Sequence, residues 1–276
     1  MKYELGFLGA GNMAEALARA AIEKGVLHAR DIVAADPNPA RHEVFAKLGV
    51  TWSGANSQVI RDARQVVIAV KPQTLPQVAG DLAAEVTAEH VVVSIMAGIS
   101  TAKLTAAING KRADAGLPPL ALRLVRVMPN TPLMVGLGMA GVALGPQARR
   151  GDEALTLRIL GSAGKAVMVE ESKIDAITAV SGSGPAYVFY LAEAMHQAAV
   201  DLGLGEHADQ LVRQTILGAA HLLAQSPDTA AELRRKVTSP GGTTEAAIKH
   251  LEGNMTTAVV VNAVKAAEKR SRELGA

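Results

Sequence analysis

The stretch Val237-Thr238-Ser239-Pro240-Gly241-Gly242-Thr243-Thr244-Glu245 has the residue types of an anion-binding turn. Its two glycines lack the Cβ that forbids positive φ. Pro240 fixes its own φ and offers no N–H. Thr243 and Thr244 then open an apolar-periodic run, Ala246, Ala247, Ile248 and Leu251, that reads as a helix. A Gly-Gly turn feeding a helix start aims several backbone N–H groups at one point, where a carboxylate or phosphate can bind. The hydroxyls of Ser239, Thr243 and Thr244 surround that point. A plain helix cap uses the same residues, so the stretch alone supports both readings.

A second stretch points to phosphate more directly. Leu5-Gly6-Phe7-Leu8 is a short apolar strand, and Gly9-Ala10-Gly11-Asn12-Met13-Ala14 leads from it into a helical pattern that ends at Lys24-Gly25. Strand, G-x-G-x-x-A and helix together form the dinucleotide-binding fingerprint. Gly9 permits the tight turn, Gly11 lets a pyrophosphate approach the backbone, and Ala14 lets helix and strand pack closely. A second strand, Ile32-Val33-Ala34-Ala35, ends in Asp36, the acid expected to accept hydrogen bonds from an adenosine ribose and so to favour NAD. Arg41, past the Pro37-Asn38-Pro39 turn, is placed either to neutralise a 2′-phosphate or to sit in solvent. NADH and NADPH both stay open as the cofactor.

The elements that hold these stretches alternate in the first half of the chain. Gly54-Ala55-Asn56 opens a helix, and Gln65–Val70 is a continuous apolar strand ending at Lys71-Pro72. Runs of this kind suit a parallel sheet covered on both faces. Val91–Ile95, Leu122–Met128, Gly138–Leu144 and Ala166–Val169 read as further strands, with a helix over 152–161. From Ser172 on, strand signals vanish. Ser181-Gly182-Ser183-Gly184-Pro185 starts a long helix, a second runs from about His207 to Gln225, and Thr229–Glu232 is a capping-box pattern. The last helix is expected from about Met255 to Arg272. The fold class is therefore α/β: a Rossmann-like, doubly wound dinucleotide-binding domain over residues 1–170, then an all-α domain over 171–276. These later helices are rich in Ala and Val, which bury little area each, so the second domain is expected to pair with another copy of itself. His196, His221 and His250 lie within them and read as solvated or capping residues.

Composition narrows the function classes. The 276 residues are 49% hydrophobic and 20% charged, which is the balance of a globular chain. With a formal charge of +2 and 3% aromatic residues there is no basic stripe or stacking platform for nucleic acid. The chain has no Cys, which removes disulfides and thiolate chemistry, and its seven His lack metal-ligand spacing. No apolar run approaches the roughly 20 residues of a membrane span. The N-terminus goes straight into a strand, so a cytoplasmic location is expected.

Gly6-Phe7-Leu8-Gly9-Ala10-Gly11-Asn12-Met13, Ala69-Val70-Lys71-Pro72, Met128-Pro129-Asn130-Thr131-Pro132 and Ser181–Tyr187 resemble the pyrroline-5-carboxylate reductases, and Ser239-Pro240-Gly241-Gly242-x-Thr244 is similar to that family's signature. The motifs keep the family's order and cover almost the whole chain. The resemblance implies reduction of L-1-pyrroline-5-carboxylate to L-proline by NADPH or NADH, the last step of proline synthesis, in a homodimer or a larger assembly of dimers. It implies that Leu8, Gly9, Ala10, Gly11, Asn12 and Met13 hold the pyrophosphate. Asn56, Ala69, Val70, Lys71 and Pro72 would contact the rest of the cofactor, and Ala97 and Gly98 would lie near the nicotinamide. Ser239, Gly242, Thr243 and Thr244 would grip the substrate carboxylate, with Thr244, the one catalytic candidate, on the ring nitrogen. Glu170 matches a ligand-contacting position and also reads as an ordinary strand-end acid. Asp36 departs from NADPH-specific relatives, which often carry a small polar residue there. The alternatives are another imine reductase, a β-hydroxyacid dehydrogenase and a non-catalytic dinucleotide sensor. A β-hydroxyacid dehydrogenase would need Lys and Asn where Val188 and Leu191 stand, and a non-catalytic dinucleotide sensor would leave the Ser239–Thr244 loop idle.

Overall fold

Residues 1–275 are described by a computed structural model. Their strands are β1 (Tyr3–Leu8), β2 (Ile32–Ala35), β3 (Thr51–Trp52), β4 (Ala63–Ile68), β5 (Val91–Ser94), β6 (Arg123–Met128), β7 (Gly138–Leu144) and β8 (Gly164–Met168). They form one sheet in the order β3-β2-β1-β4-β5-β6-β7-β8. All neighbours run parallel except β6 and β7. The helices between them are α1 (Asn12–Glu23), α2 (Pro39–Lys47), α3 (Asn56–Asp62), α4 (Leu75–Glu85), α5 (Thr101–Asp114), α6 (Ala154–Ser162) and α7 (Ile174–Ile177).

The continuous apolar strands are explained by burial on both faces. Along β4, Val67 joins one core with α1, α2 and α6, while Val66 and Ile68 join another with α3, α4 and α5. The same two-residue alternation places Leu5 and Phe7 of β1 on the first face and Leu8 on the second. Phe7, Phe45 and Trp52 add edge-to-face ring contacts at centroid distances of 6.3 Å. This doubly wound arrangement is the one expected from the sequence.

The chain packs as two units. One contains Met1–Ser183 and the end of the last helix from Ala267 on, and the other contains Gly184–Ala266. The sequence places the boundary at 170/171. Residues 171–183, which follow that boundary, pack with the first unit, and Ile174 and Ala179 are buried there. A π-helical stretch, Thr178–Gly182, ends that segment.

The second unit holds α8 (Gly184–Asp201), α9 (Ala208–Gln225), α10 (Ala230–Lys236), α11 (Thr243–Gly253) and the first half of α12 (Thr256–Gly275). The capping box at Thr229 and Glu232 is formed, with reciprocal hydrogen bonds of 2.7 and 3.3 Å. No residue of α8, α10 or α11 is buried, and α9 buries only Ala208 and Val212. Phe189 is 62% exposed, Tyr190 76% and Leu202 77%. At ~25 cal/mol per Å² of apolar surface, a unit packed this thinly gains most by covering these faces with further chain.

Candidate active site

The strand order reverses between β1 and β4, and the ends of those two strands bound the crevice where ligands of open α/β sheets bind. Gly9 follows β1 with φ +92°, a conformation that side chains rarely adopt. A Cβ there would also lie 2.7 Å from Val70 Cγ1 and 2.9 Å from the Ala69 carbonyl oxygen. The Gly9 N–H donates to Ala35 and the Ala69 N–H to Leu8, both at 2.8 Å, so three strand ends are tied together around this turn. Gly11 is different. It is the N-cap of α1 with an ordinary φ of −68°, and a Cβ on it would meet nothing of the chain within 4 Å. The open space above Gly11, at a helix N-terminus, fits a phosphate group approaching the backbone.

Asp36 and Arg41 both hold this turn, through the same residue. Asp36 accepts from the Ala10 N–H with one carboxylate oxygen and from the Asn38 N–H with the other, each at 2.8 Å. Arg41 donates from Nε to the Ala10 carbonyl and from a terminal nitrogen to Glu15, the latter at 2.6 Å. Burial alone would push the Glu15 carboxyl up. Hydrogen bonds from Arg41 and Arg19, with their charges, outweigh it and hold Glu15 below the usual carboxylate range. Arg41 is therefore engaged with the glycine turn and α1, not held in solvent. Each Asp36 oxygen keeps a further lone pair for a ribose hydroxyl.

The remaining cofactor candidates lie at the ends of β4 and β5 or at the start of α3. Asn56 begins α3 and donates to Asp81 at 2.8 Å, which fixes its amide and leaves its carbonyl oxygen available. Val70 packs beside Gly9. Lys71 caps a short turn at Pro72–Thr74 through its carbonyl, which accepts the Thr74 N–H and hydroxyl at 3.0 and 2.8 Å. Ala97 and Gly98 lie on the loop that follows β5, and Gly98 has φ +73°.

In the second unit, Gly242 is the N-cap of α11 and no side chain caps that helix. The hydroxyls of Ser239, Thr243 and Thr244 are thus not used up in capping. The Thr243 and Thr244 N–H groups lie in the first turn, where the helix supplies no acceptor. Gly241 makes the turn at φ +73°, and the Gly242 N–H returns to the Ser239 carbonyl at 3.0 Å. Glu245 pins the turn by accepting the Gly241 N–H at 2.8 Å, while Lys249 lies 3.2 Å from its carboxylate and offsets its charge. Backbone donors, hydroxyls and an uncapped helix N-terminus thus occur together on this turn.

Two family models match the chain. Residues 171–274 match pyrroline-5-carboxylate reductase dimerisation, and residues 4–98 match NADP oxidoreductase, coenzyme F420-dependent. Over its full length the chain is similar to the pyrroline-5-carboxylate reductases of Pisum sativum, at 40% identity across 99% of this chain and 96% of that one, and of Pseudomonas aeruginosa, at 41% across 98% and 96%. The chain belongs to the pyrroline-5-carboxylate reductase family. Solved structures agree. The Coxiella burnetii pyrroline-5-carboxylate reductase superposes with a TM-score of 0.88 at 34% identity, covering all of both chains. The Plasmodium falciparum enzyme with NADP bound gives 0.85 at 28%, again over both whole chains.

Two motifs that carry the family resemblance prove architectural. In this reductase Asn130 donates to the Ser181 carbonyl at 3.0 Å and accepts the Met139 N–H at 2.8 Å. It thus ties the end of β6 to β7 and to the Gly-Ser turn before α8. Glu170, a candidate ligand contact by sequence, is exposed, and its carboxylate has no partner among the described residues. β8 runs opposite to the cofactor-bearing strands, so the chain leaves it in the other direction. The neighbouring Glu171 makes the contacts, accepting the Thr101 N–H at 2.7 Å and facing Arg126 at 3.4 Å. Arg126 and Glu171 were not legible as a pair, because a charged residue inside an apolar run and an acid 45 positions later share no local pattern.

Proposed function

We propose the following division of labour among the residues of this reductase. The chain is an oxidoreductase that reduces L-1-pyrroline-5-carboxylate to L-proline with NAD(P)H. Leu8, Gly9, Ala10, Gly11, Asn12 and Met13 hold the pyrophosphate, with the open face of Gly11 as its approach. Asp36 receives the adenosine ribose, and Asn56 and Ala69–Pro72 flank the rest of the cofactor. When bound, the nicotinamide supplies the hydride that the imine carbon receives.

Gly242, Thr243 and Thr244 present backbone to the substrate carboxylate, and the Ser239 hydroxyl donates to it. Thr244 orients the ring nitrogen and relays a solvent proton to it, since a threonine hydroxyl is too weak an acid to act as the donor of record. Fixing the ring by its carboxylate converts an encounter into a positioned reaction, worth several kcal/mol of barrier. The observation that carries this reading is the Gly242 cap: Ser239, Thr243 and Thr244 flank a helix N-terminus that no side chain caps.

The chain forms a homo-oligomer through its dimerisation domain. We infer a two-fold dimer as the basic unit, since a second copy supplies apolar faces that match those left exposed on α8, α9 and α12. Purified protein should oxidise NADH or NADPH, followed by absorbance, only when pyrroline-5-carboxylate is present. Folded protein that oxidises neither would overturn the assignment.

A further inference from the structure

Four segments far apart in sequence meet behind the loop Met96–Ser100. From β6, Arg126 is 4% exposed and faces Glu171 at 3.4 Å and Asp175 at 3.2 Å. Glu171 closes on the start of α5, taking the Thr101 N–H at 2.7 Å and its hydroxyl at 2.5 Å. Asp175 accepts the hydroxyl of Ser271, near the C-terminal end of α12, at 2.7 Å. The same end of α12 covers the loop itself. A Cβ on Gly98 would lie 2.7 Å from Leu274 Cβ and 3.2 Å from the Ser271 carbonyl oxygen. The loop is therefore braced at Thr101 by Glu171 and at Gly98 by the chain end, and both braces converge on one guanidinium.

Stability alone does not account for this network. Arg126 Nε is buried with no hydrogen-bond partner among the described residues, which is a net cost to the fold. Buried ion pairs are in general no more stabilising than apolar residues of the same volume. What such a network does well is fix groups in one geometry. Thr101 is the first residue of α5, so a carboxylate on its N–H also sets where that helix begins.

We propose that Ser271 and Leu274 are positioning residues that hold the loop Met96–Ser100 for the nicotinamide end of the cofactor, with Arg126 as the hub joining them to Glu171. The proposal rests on the reading that Ala97 and Gly98 lie beside the nicotinamide. A loop held from behind needs no reordering when the cofactor binds, and freeing it charges that reordering to the cofactor alone. The C-terminal end of the chain is, on this account, part of the cofactor site without touching the cofactor.

Four full-length variants test it: Ser271→Ala, Ser271→Thr, Leu274→Gly, which removes the Cβ packed over Gly98, and Ala97→Val. NADPH affinity is read at equilibrium from nicotinamide fluorescence, and amide hydrogen exchange is followed over residues 96–101. Losing one hydrogen bond to a charged group should raise the NADPH Kd about fivefold in Ser271→Ala and speed exchange in the loop by a similar factor, with kcat changed less than twofold. Leu274→Gly should act in the same direction, and Ser271→Thr should restore wild-type values. A lowered melting temperature with unchanged Kd and unchanged exchange would make Ser271 merely structural and overturn the proposal. Ala97→Val separates the two readings. If it weakens NADPH while Ser271→Ala and Leu274→Gly do not, the brace is wrong. If Ala97→Val leaves the Kd unchanged, the placement of the loop beside the nicotinamide is wrong, and the proposal falls with it.

Discussion

Replacing Asp36 by serine should shift this reductase toward NADPH, and the size of the shift follows from charge. Asp36 follows β2, where we place the adenosine ribose, and a 2′-phosphate there would bring close to two negative charges toward one carboxylate. Unit charges ~4 Å apart repel by about 1 kcal/mol in water and about 4 kcal/mol at the effective dielectric of a partly buried site. Asp36 is half-buried, so the penalty lies between these limits. About 2 kcal/mol corresponds to roughly a thirtyfold change in the NADPH-to-NADH ratio of kcat/KM. A second effect acts on both cofactors alike. Asp36 also holds the Ala10 and Asn38 N–H groups, so serine loosens the glycine turn and should lower NADH turnover further. The assay is kcat/KM with each dinucleotide, at fixed pyrroline-5-carboxylate and fixed salt, for wild type and variant. A ratio that moves less than about threefold would refute the reasoning and leave Asp36 as a clasp for the turn only.

Two further outcomes concern stability. Asp152 is almost fully buried and paired with Arg123. Burial pushes its carboxyl up, but the hydrogen bonds from Arg123 and the Arg149 N–H prevail and hold it below the usual range. Its contribution to stability is therefore complete above the ordinary aspartate pKa of about 4 and is lost as pH falls through the depressed folded-state value. Asp152→Asn should lose roughly 3 kcal/mol in urea unfolding at pH 7 and converge toward wild type below about pH 4; a constant gap across that range would contradict the assignment. Asn130→Ala leaves the Met139 N–H and the Ser181 carbonyl unpaired at a buried site, which should cost roughly 3 kcal/mol. Urea unfolding at one fixed protein concentration checks this, because the midpoint of an oligomer depends on concentration; a loss under 1 kcal/mol would mean that water replaces both bonds.

What the sequence disclosed was local. The glycine turn, the acid ending β2 and the capping box at Thr229 each sit within a few residues of the element they serve, so residue type and spacing were enough. The doubly wound sheet was legible because strands buried on both faces read as unbroken apolar runs. Long-range pairing left no such trace. Nothing near Ser271 marks it as the partner of Asp175, 96 positions away, and nothing distinguishes Glu171 from Glu170 until the fold turns one toward Thr101. Arg41 shows the same limit. Its spacing from Asp36 offered a phosphate ligand or a solvated residue, while the structure ties it to Ala10 and Glu15. The Gly241-Gly242 turn lay between these cases, since its helix start was legible and its uncapped hydroxyls were not.

That turn carries the central claim, and Thr244→Ala tests it most directly. Pre-steady-state and steady-state turnover with pyrroline-5-carboxylate should be measured beside equilibrium NADPH binding. Turnover should fall at least about tenfold, equivalent to ~1.4 kcal/mol of barrier, while the NADPH Kd stays within twofold of wild type. Turnover that stays at the wild-type level, or a loss matched by an equal loss of NADPH affinity, would contradict a role for Thr244 at the substrate.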